Sequence, residues 1–112
     1  MISGYKGNQR LQGQSAATRA ISGYKGKRTE RFANGMFVPA FQGFEKQAAK
    51  RLSILNAAES MNTLSALPSN HLETLRGDRA GQHSIRINHQ WRVCFVWVDG
   101  QGPTDVEIVD YH

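Results

Sequence analysis

The sequence predicts an α+β fold in which two N-terminal helices pack on a small antiparallel sheet. Between Phe41 and Leu55, apolar residues recur at steps of three and four, which indicates an amphipathic helix. Further along, residues 84–88 alternate polar and apolar, and residues 91–98 are apolar on both faces except at Arg92, as expected for a central strand. Helical patterns come first and strand patterns last, which is typical of an α+β domain.

Local signals place the remaining elements. Thr29 is a residue type that caps helices, Gly35 is one that ends them, and Pro39 suits a first helical position. Gly and Pro within residues 99–103 indicate a hairpin loop. The predicted elements are, in chain order, a strand at 20–24, a short helix at 29–34, a helix from 39 to about 58, a loop at 60–70, and strands at 72–75, 84–88, 91–98 and 104–111.

Length and composition predict a cytoplasmic protein without membrane association. A chain of 112 residues is long enough for one domain with a small core. It has no run of about 18 apolar residues that could span a membrane. No apolar segment typical of a secretory signal follows its first basic residues. Cys94 is the only cysteine, so no intrachain disulfide can form, which suits a reducing compartment.

The N-terminal segment is predicted to be a flexible tail. Ile2–Gly7 recurs as Ile21–Gly26, and a six-residue unit is too short for a solenoid, so a duplicated start is the simpler interpretation. Leu11 is the only large apolar residue between the copies, and such a segment cannot bury much apolar area. We therefore expect a tail at 1–19 and a domain at 20–112.

The net charge of +5 is unevenly distributed along the chain. Residues 1–31 hold seven Lys and Arg against Glu30 alone, whereas the rest of the chain holds seven against eight acidic residues. Bulk charge therefore indicates only an N-terminus that binds polyanions non-specifically. Four arginines within 17 positions, opposed only by Asp78, indicate a local phosphate-binding site: Arg76, Arg79, Arg86 and Arg92.

The C-terminus supplies groups that transfer protons. RNA cleavage without a metal uses the 2′-hydroxyl as nucleophile and needs a base, an acid and cations for the phosphorane. His112 can act as base or acid near neutral pH, and Asp110 can orient an imidazole or act as the base. Arginine binds phosphate bidentately, which suits Arg76 and Arg92. Tyr111 can stack on a base, and strand alternation leads us to expect Asp110 and His112 to share the site more surely than Tyr111.

Several motifs resemble those of the HigB toxins of the RelE/ParE superfamily. They are Leu75–Arg79, Gly81, Ser84–Asn88, Trp91–Phe95 and Val106–His112. The resemblance runs from about residue 20 to the end of the chain. It implies a ribosome-dependent mRNA endonuclease of a type II toxin–antitoxin pair that uses no cofactor. It also implies three partners, namely a HigA-like helix-turn-helix antitoxin, the ribosome and mRNA.

The resemblance also implies which residues act. Residues 110–112 match the C-terminal motif of the family, Arg92 matches the arginine after its tryptophan, and Arg76 occupies the basic position before Gly-Asp. One position departs from the pattern, because some family members have a catalytic histidine three residues before that basic residue and this chain has Glu73. Either Glu73 substitutes for the histidine or catalysis depends on His112.

Other interpretations stay open. The ParE branch shares the scaffold and acts on DNA gyrase without this catalytic set, so a non-catalytic binding module is one alternative. An inactive relative kept as an antitoxin-binding partner is another. Arg79 and Asp78 are most simply turn residues that pair at the surface, and Arg86 forms either a salt bridge or an RNA contact.

Buried roles are expected for several residues that resemble functional ones. Trp91, Phe95 and Trp97 alternate on one face of a central strand, which predicts core packing and not a stacking platform. Cys94 is expected to be a small buried hydrophobe. No pair of potential ligands shows zinc-finger spacing, so we predict no metal site from the remaining candidates, His71, His83 and His89 together with Cys94.

Overall fold

The computed structural model describes residues 20–111 and confirms the α+β class. The elements are α1 (Lys27–Ala33), α2 (Glu45–Ala57), α3 (Met61–Ser65), β1 (Glu73–Thr74), β2 (His83–Arg86), β3 (Trp91–Val98) and β4 (Gly102–Asp110). The four strands form one antiparallel sheet in chain order. The predicted tail at 1–19 and His112 lie outside the described residues. Within the described range, no helix combines the length and apolarity needed to cross a membrane.

The main core lies between the helices and one face of the sheet. Helix α2 contributes Ala48, Leu52 and Leu55, which are at most 8% exposed. The facing strands contribute side chains of similarly low exposure, and burying each large one stabilises the fold by about 1.5–3 kcal/mol. These strand residues are Ile85, Ile87, Val93, Phe95, Val106 and Ile108. Phe95 is fully buried, and the partly buried Trp91 and Trp97 pack against this core, so the predicted core role of all three is confirmed.

Helix α1 begins earlier than predicted, and Thr29 does not cap it. Gly26 occupies the capping position with a φ of 84°, and Thr29 lies inside the helix, fully buried. The Oγ1 atom of Thr29 accepts the backbone N–H of Ile108 at 3.0 Å. This hydrogen bond ties α1 to β4, and its partner is 79 positions away, so the capping preference of threonine was overridden by a tertiary contact.

The predicted strand at 20–24 is reduced to a single bridge. Tyr24 pairs in parallel with Val106 outside the named strands. The Ser22 N–H donates to Pro103 O at 3.0 Å, and the Lys25 N–H donates to Val106 O at 2.9 Å. The segment therefore borders β4 without forming a continuous fifth strand.

The long helix and the loop that follow were both predicted with wrong boundaries. Pro39–Phe41 forms a separate 3₁₀ turn, and Gly43, with a φ of 97°, interrupts the chain before α2 starts. Within the predicted loop at 60–70, Ser60 caps α3 by accepting the Thr63 N–H at 3.1 Å. The α3 helix buries Leu64 completely, so this segment contributes to the core.

The β2–β3 hairpin sets the register on which the outer face depends. Asn88 Oδ1 accepts the backbone N–H groups of Gln90 and Trp91, each at 2.8 Å. This turn places Arg86 opposite Arg92 across the two strands. The predicted strand at 91–98 is confirmed with the same limits.

A bulge in β4 resets side-chain direction near its start. Cys94 pairs with Glu107 and Val96 with Thr104, so two residues of β4 face one residue of β3 between these pairs. Asp105 lies in this bulge with a φ of 51°. After the bulge, Ile108 points to the helices and its neighbours in β4 point to the opposite face.

Candidate functional site

The candidate site lies on the face of the sheet that points away from the helices. Residues directly opposite each other on neighbouring strands share a face. Arg92 is opposite Arg86 and Val109, while Cys94 is opposite Ser84 and Glu107, so these two rows lie side by side on one surface. We call this surface the outer face. A small apolar cluster of Leu75, Cys94 and Val109 forms its floor.

Arg92 is the most firmly held side chain on the outer face. It is only 8% exposed, and its Nε donates to Ser84 Oγ at 2.7 Å. Its Nη2 donates to the backbone oxygens of Ser84, at 3.3 Å, and of His71. Within residues 20–111, its Nη1 makes no protein hydrogen bond. The guanidinium is thus fixed on one side and keeps two N–H groups for an anion.

Glu73 places a carboxylate beside this guanidinium. Its Oε1 lies 4.0 Å from Arg92 Nε, a distance that gives electrostatic attraction without a hydrogen bond. The side chain of Glu73 is 52% exposed, so the carboxylate remains accessible from solvent. Position 73 therefore holds a carboxylate next to a fixed cation.

Tyr111 joins Arg92 on the outer face, and Asp110 does not. The Cζ of Arg92 lies 5.8 Å from the centre of the Tyr111 ring, which also packs against the floor of the outer face. Asp110 pairs with Trp91, whose ring packs on Phe44 on the helical side, and its Oδ2 accepts Gln90 Nε2 at 3.0 Å.

Asp110 and His112 were expected to share the site more surely than Tyr111, whereas the sheet places Tyr111 beside Arg92 and Asp110 on the helical face. Strand alternation does separate the two side chains. However, the cross-strand register with β3 assigns Tyr111 to the outer face and Asp110 to the helical face. His112, the third member of the predicted set, lies outside the described residues.

The other three arginines differ in their surroundings. Arg79 is engaged, because its Nη1 donates to Gln82 Oε1 at 3.1 Å and lies 3.4 Å from Glu107 Oε1. Arg76 is exposed and precedes the 3₁₀ turn Gly77–Arg79. Arg86 is half-buried and faces Arg92 directly. Two arginines opposite each other repel, and a bound anion would relieve this repulsion.

Sequence reasoning missed the groups that position Arg92. His71 adopts a left-handed backbone with a φ of 44°, which directs its carbonyl oxygen to the guanidinium. The preceding residue, Asn70, is fully buried; its Nδ2 donates to Leu64 O at 3.0 Å and its Oδ1 accepts Arg51 Nη1 at 2.8 Å. Burial lowers the pKa of Arg51 from its ordinary value. This network fixes the turn that precedes His71.

One of these groups had a readable signal in the sequence. A tight hairpin turn at 88–90 fixes which residues of the two strands face each other, and this register brings Ser84 diagonally next to Arg92. The Asn70 network had no such signal, because its partners come from α2, α3 and a 3₁₀ turn whose packing no local pattern specifies.

Cys94 is not a nucleophile. The side chain is fully buried, and burial raises the pKa of the thiol, so it stays protonated and weakly reactive. Within residues 20–111, no three His, Cys, Asp or Glu side chains are grouped closely enough to hold a metal ion. The described part of this surface thus offers a fixed cation, a carboxylate and a phenol.

A comparison with protein families identifies the chain. A family model described as HigB-like toxin, a RelE-like toxin of type II toxin–antitoxin system HigB, matches residues 38–112, well over half of the chain. The chain belongs to the HigB-like toxin family. The match includes all of the outer face, and it confirms the resemblance found in the sequence motifs.

Individual relatives agree with this assignment. Toxin HigB-1 of Vibrio cholerae is 43% identical over 56 residues, which cover 50% of this chain and 59% of that protein. An uncharacterized protein of Haemophilus influenzae is 34% identical over 56 residues, covering 50% of this chain and 55% of that protein. The chain thus matches less than two thirds of the length of these curated relatives.

Solved structures support the fold. The YoeB–YefM complex of Staphylococcus aureus includes a chain that is 19% identical, with a TM-score of 0.51, covering 84% of this chain and 97% of that one. The YoeB dimer of the same organism is 21% identical, with a TM-score of 0.51, covering 86% and 99%. At such low identity the likeness concerns the fold alone.

Proposed function

We propose that this HigB-like toxin is a metal-independent endoribonuclease that cleaves mRNA on the ribosome in the cytoplasm. The observation that carries the proposal is the environment of Arg92. A buried guanidinium is held by Ser84 and the His71 carbonyl, and its Nη1 makes no hydrogen bond within residues 20–111, so Nη1 can donate to an anion. A preorganised donor of this kind stabilises developing charge without reorganising during the reaction.

The proposed step is an in-line attack by the 2′-oxygen on the adjacent phosphorus. The 2′-oxygen forms a bond to phosphorus, the bond to the 5′-oxygen breaks, and a 2′,3′-cyclic phosphate and a 5′-hydroxyl result. Glu73, beside Arg92, takes the proton of the 2′-hydroxyl, and His112 gives a proton to the leaving 5′-oxygen. Arg92 donates to the non-bridging oxygens as negative charge builds on them.

The remaining site residues bind and position the RNA in this proposal. Arg86, which faces Arg92, and the exposed Arg76 bind neighbouring phosphates. Tyr111 supplies a ring on which a base stacks. Asp110 anchors the C-terminal end through Gln90, and Arg79 contributes little because it is already paired with Glu107.

The partners follow from the family. We propose a HigA-like helix-turn-helix antitoxin that neutralises the toxin, with the ribosome presenting the mRNA. One similar solved structure is a toxin–antitoxin complex, that of YoeB and YefM, which supports an antitoxin for this fold. The domain is proposed to be residues 20–112, with residues 1–19 dispensable for toxicity.

The test is cleavage of a defined mRNA on purified ribosomes. EDTA is kept below the concentration at which the ribosomes dissociate, and sedimentation of the ribosomes is the control. Cleavage is expected to persist in EDTA and to stop when the nucleotide before the scissile phosphate is 2′-deoxy. Cleavage of the deoxy substrate would disprove attack by the 2′-hydroxyl.

A second candidate, an inactive toxin relative that acts only through protein contacts, is favoured by one observation. Glu73 places its negative charge 4.0 Å from Arg92, where it competes with a phosphate for the guanidinium. Glu73→Gln removes this charge at nearly constant size and also removes the proposed base. Loss of cleavage in Glu73→Gln supports the nuclease, whereas cleavage that first appears in Glu73→Gln or Glu73→His supports the inactive relative.

A further inference from the structure

Two arginine–glutamate pairs lie on the outer face within residues 20–111. One joins Arg92 to Glu73, and the other joins Arg79 to Glu107. The two glutamates stand at opposite ends of the row of residues that crosses the four strands through Cys94. The proposed function uses the first pair and gives no role to the second.

The carboxylate meets a different part of the guanidinium in each pair. Glu73 lies nearest to Nε of Arg92, at 4.0 Å, and Nη1 of Arg92 makes no hydrogen bond within residues 20–111. In the second pair, Nη1 of Arg79 lies 3.4 Å from Glu107 Oε1 and donates to Gln82 Oε1 at 3.1 Å. Arginine binds phosphate through paired N–H groups at the tip of its side chain. Glu107 and Gln82 thus occupy one of the nitrogens with which Arg79 would bind a phosphate.

Arg79 lies where it could bind RNA if Glu107 did not hold it. It ends the 3₁₀ turn Gly77–Arg79, which directly follows the exposed Arg76. The side chain of Arg79 is 32% exposed and that of Glu107 is 26% exposed, so solvent and ligands reach the pair. An ion pair at such a surface is weak, and a change at one partner releases the other. Without the carboxylate, Arg79 would lie beside Arg76 as a second cation for phosphates.

Backbone hydrogen bonds hold this turn independently of the ion pair. The Arg79 N–H donates to Arg76 O at 3.2 Å, and the Gln82 N–H donates to Arg79 O at 3.0 Å. The Leu75 N–H donates to Gln82 O at 2.9 Å, and the buried Leu75 side chain belongs to the floor of the outer face. Loss of the Glu107 carboxylate is therefore expected to change the charge around Arg79 more than the fold.

We propose that Glu107 keeps Arg79 from binding RNA, so that phosphates are bound by the other arginines of the outer face and free single-stranded RNA is held weakly. The proposal rests on the proposed function in taking the outer face as the surface that binds RNA. It extends that function, because it makes Glu107 a residue that limits affinity. A toxin that holds free RNA weakly acts mainly where the ribosome presents the mRNA.

The test measures the affinity of the full-length protein for a fluorescein-labelled RNA by fluorescence anisotropy. The RNA is a single strand of about 12 nucleotides, within the usual range of site sizes for single strands. All its sugars are 2′-O-methylated, so no 2′-hydroxyl is present and binding is measured without cleavage. Glu107→Gln is expected to bind this RNA about two- to fivefold more tightly than the parent, the range that release from a partly exposed ion pair allows. Equal affinities would overturn the proposal.

Salt dependence gives a second readout. A new phosphate contact releases counterions, so the slope of log affinity against log salt should become steeper by about 0.7 for a single strand. The advantage of Glu107→Gln over the parent should therefore shrink by about 2–3-fold when the salt concentration is raised about fourfold. An advantage that does not change with salt would mean that no phosphate contact was gained, and it would overturn the proposal.

Matched variants assign the gain to Arg79. Arg79→Ala alone should change the affinity little, and the double variant Glu107→Gln, Arg79→Ala should bind as the parent does. Asp99→Asn removes the same charge from an exposed residue of the turn between β3 and β4, and it should not produce the gain. A gain that persists in the double variant, or one that Asp99→Asn reproduces, would overturn the proposal.

Folding and chemistry are separated from this result. The thermal midpoint of each variant is compared with that of the parent. If Glu107→Gln does not fold, Glu107→Thr removes the same carboxylate with a residue that suits strands. If ribosome-bound mRNA is never cleaved but the binding results hold, the proposed nuclease fails and the role of Glu107 stands. If the parent cleaves but Glu107→Gln binds no more tightly, the nuclease stands and the role of Glu107 fails.

Discussion

The two sides of the sheet differ in how their charge is held. On the helical side, cationic side chains such as Lys46 and Lys50 are exposed around an apolar groove. On the outer face, Arg92 is buried and bound by three hydrogen bonds. Exposed charge attracts partners at long range, and a fixed buried charge stabilises one geometry. The two sides thus differ in that the cations of the helical side are exposed, whereas the central cation of the outer face is buried and fixed.

The largest effect on the cleavage rate is expected from replacing Arg92, the fixed cation of the outer face. Arg92→Ala should lower the rate of ribosome-bound mRNA cleavage by about 10²–10³-fold, because losing one preorganised donor costs roughly 3–4 kcal/mol of transition-state stabilisation. Arg92→Lys should recover only part of the rate, since an ammonium cannot reproduce the planar fork. Single-turnover cleavage of a defined mRNA measures both variants.

Arg79→Ala is the matched control for that experiment, because it removes an arginine that is already paired with Glu107. A partly exposed pair of this kind contributes at most about 1 kcal/mol to stability. Its cleavage rate should remain within a few-fold of the parent. A comparable loss in Arg79→Ala and Arg92→Ala would show that general positive charge, and not the buried geometry, matters.

A smaller loss, of about a hundredfold, is expected when His112 is deleted, since a general acid contributes about 10²–10⁴-fold and Glu73 continues to act as the base. The thermal midpoint of the deletion variant is measured in parallel, so that a loss of folding can be told from a loss of chemistry. The pH–rate profile of the deletion variant should lose its alkaline limb. Cleavage near the parental rate would exclude His112 from the mechanism.

Strand β3 is the element that the sequence alone predicted best. Its residues are apolar on both faces apart from Arg92, and this pattern predicted its limits and its central place in the sheet. Strand alternation also predicted that Asp110 and Tyr111 would point in opposite directions. The pattern did not reveal which direction was the helical side, because that depends on the register with Trp91.

The site was harder to predict than the fold, because its support comes from distant segments. Ser84 was assigned to a polar face, yet it is fully buried and binds Arg92. The loop predicted at 60–70 contains α3 and the 3₁₀ turn with Asn70, whose buried contacts no local pattern encodes. A short helix contains too few turns for its apolar pattern to be recognised in the sequence. The segments that support Arg92 were therefore not predicted.

Asn70→Ala is expected to lower the free energy of unfolding by about 1–3 kcal/mol. The change removes the Asn70 hydrogen bonds to the Leu64 carbonyl and to Arg51, and each lost hydrogen bond costs about 0.5–1.5 kcal/mol. The Leu64 carbonyl then keeps the Leu67 N–H at 3.4 Å, and Arg51 keeps Ser69 Oγ at 3.3 Å. The thermal midpoint should fall by several degrees. Asn62→Ala, at an exposed residue of α3, is the control and should change little. An unchanged midpoint in Asn70→Ala would show that the turn is held by other contacts.

Cleavage by Asn70→Ala reports on the outer face as well. The turn that Asn70 fixes precedes His71, whose carbonyl holds Arg92. We expect a lower maximal rate with little change in the apparent affinity for ribosomes, measured at a temperature where the variant is fully folded. A normal maximal rate would mean that Ser84 alone is sufficient to orient the guanidinium.

The smallest effect is the contribution of the Cys94 thiol to the pH dependence of stability, which appears only at alkaline pH. Burial raises the pKa of its thiol above that of the unfolded chain, which is about 8.5. Below that pH both states are protonated and the thiol adds no pH dependence. As the pH rises from there towards the folded pKa, the unfolded state loses its proton first, so stability falls by at most about 1.4 kcal/mol per pH unit.

Urea unfolding of the parent and of Cys94→Ala at pH 7 and pH 10 measures this contribution. Cys94→Ala should be less stable at pH 7, because a fully buried side chain is shortened. It should nevertheless lose less stability than the parent between the two pH values, since it has no thiol to ionise on unfolding. Equal losses in the two proteins would mean that the thiol ionises as readily in the folded outer face as in the unfolded chain, and that the floor beneath Arg92 admits water.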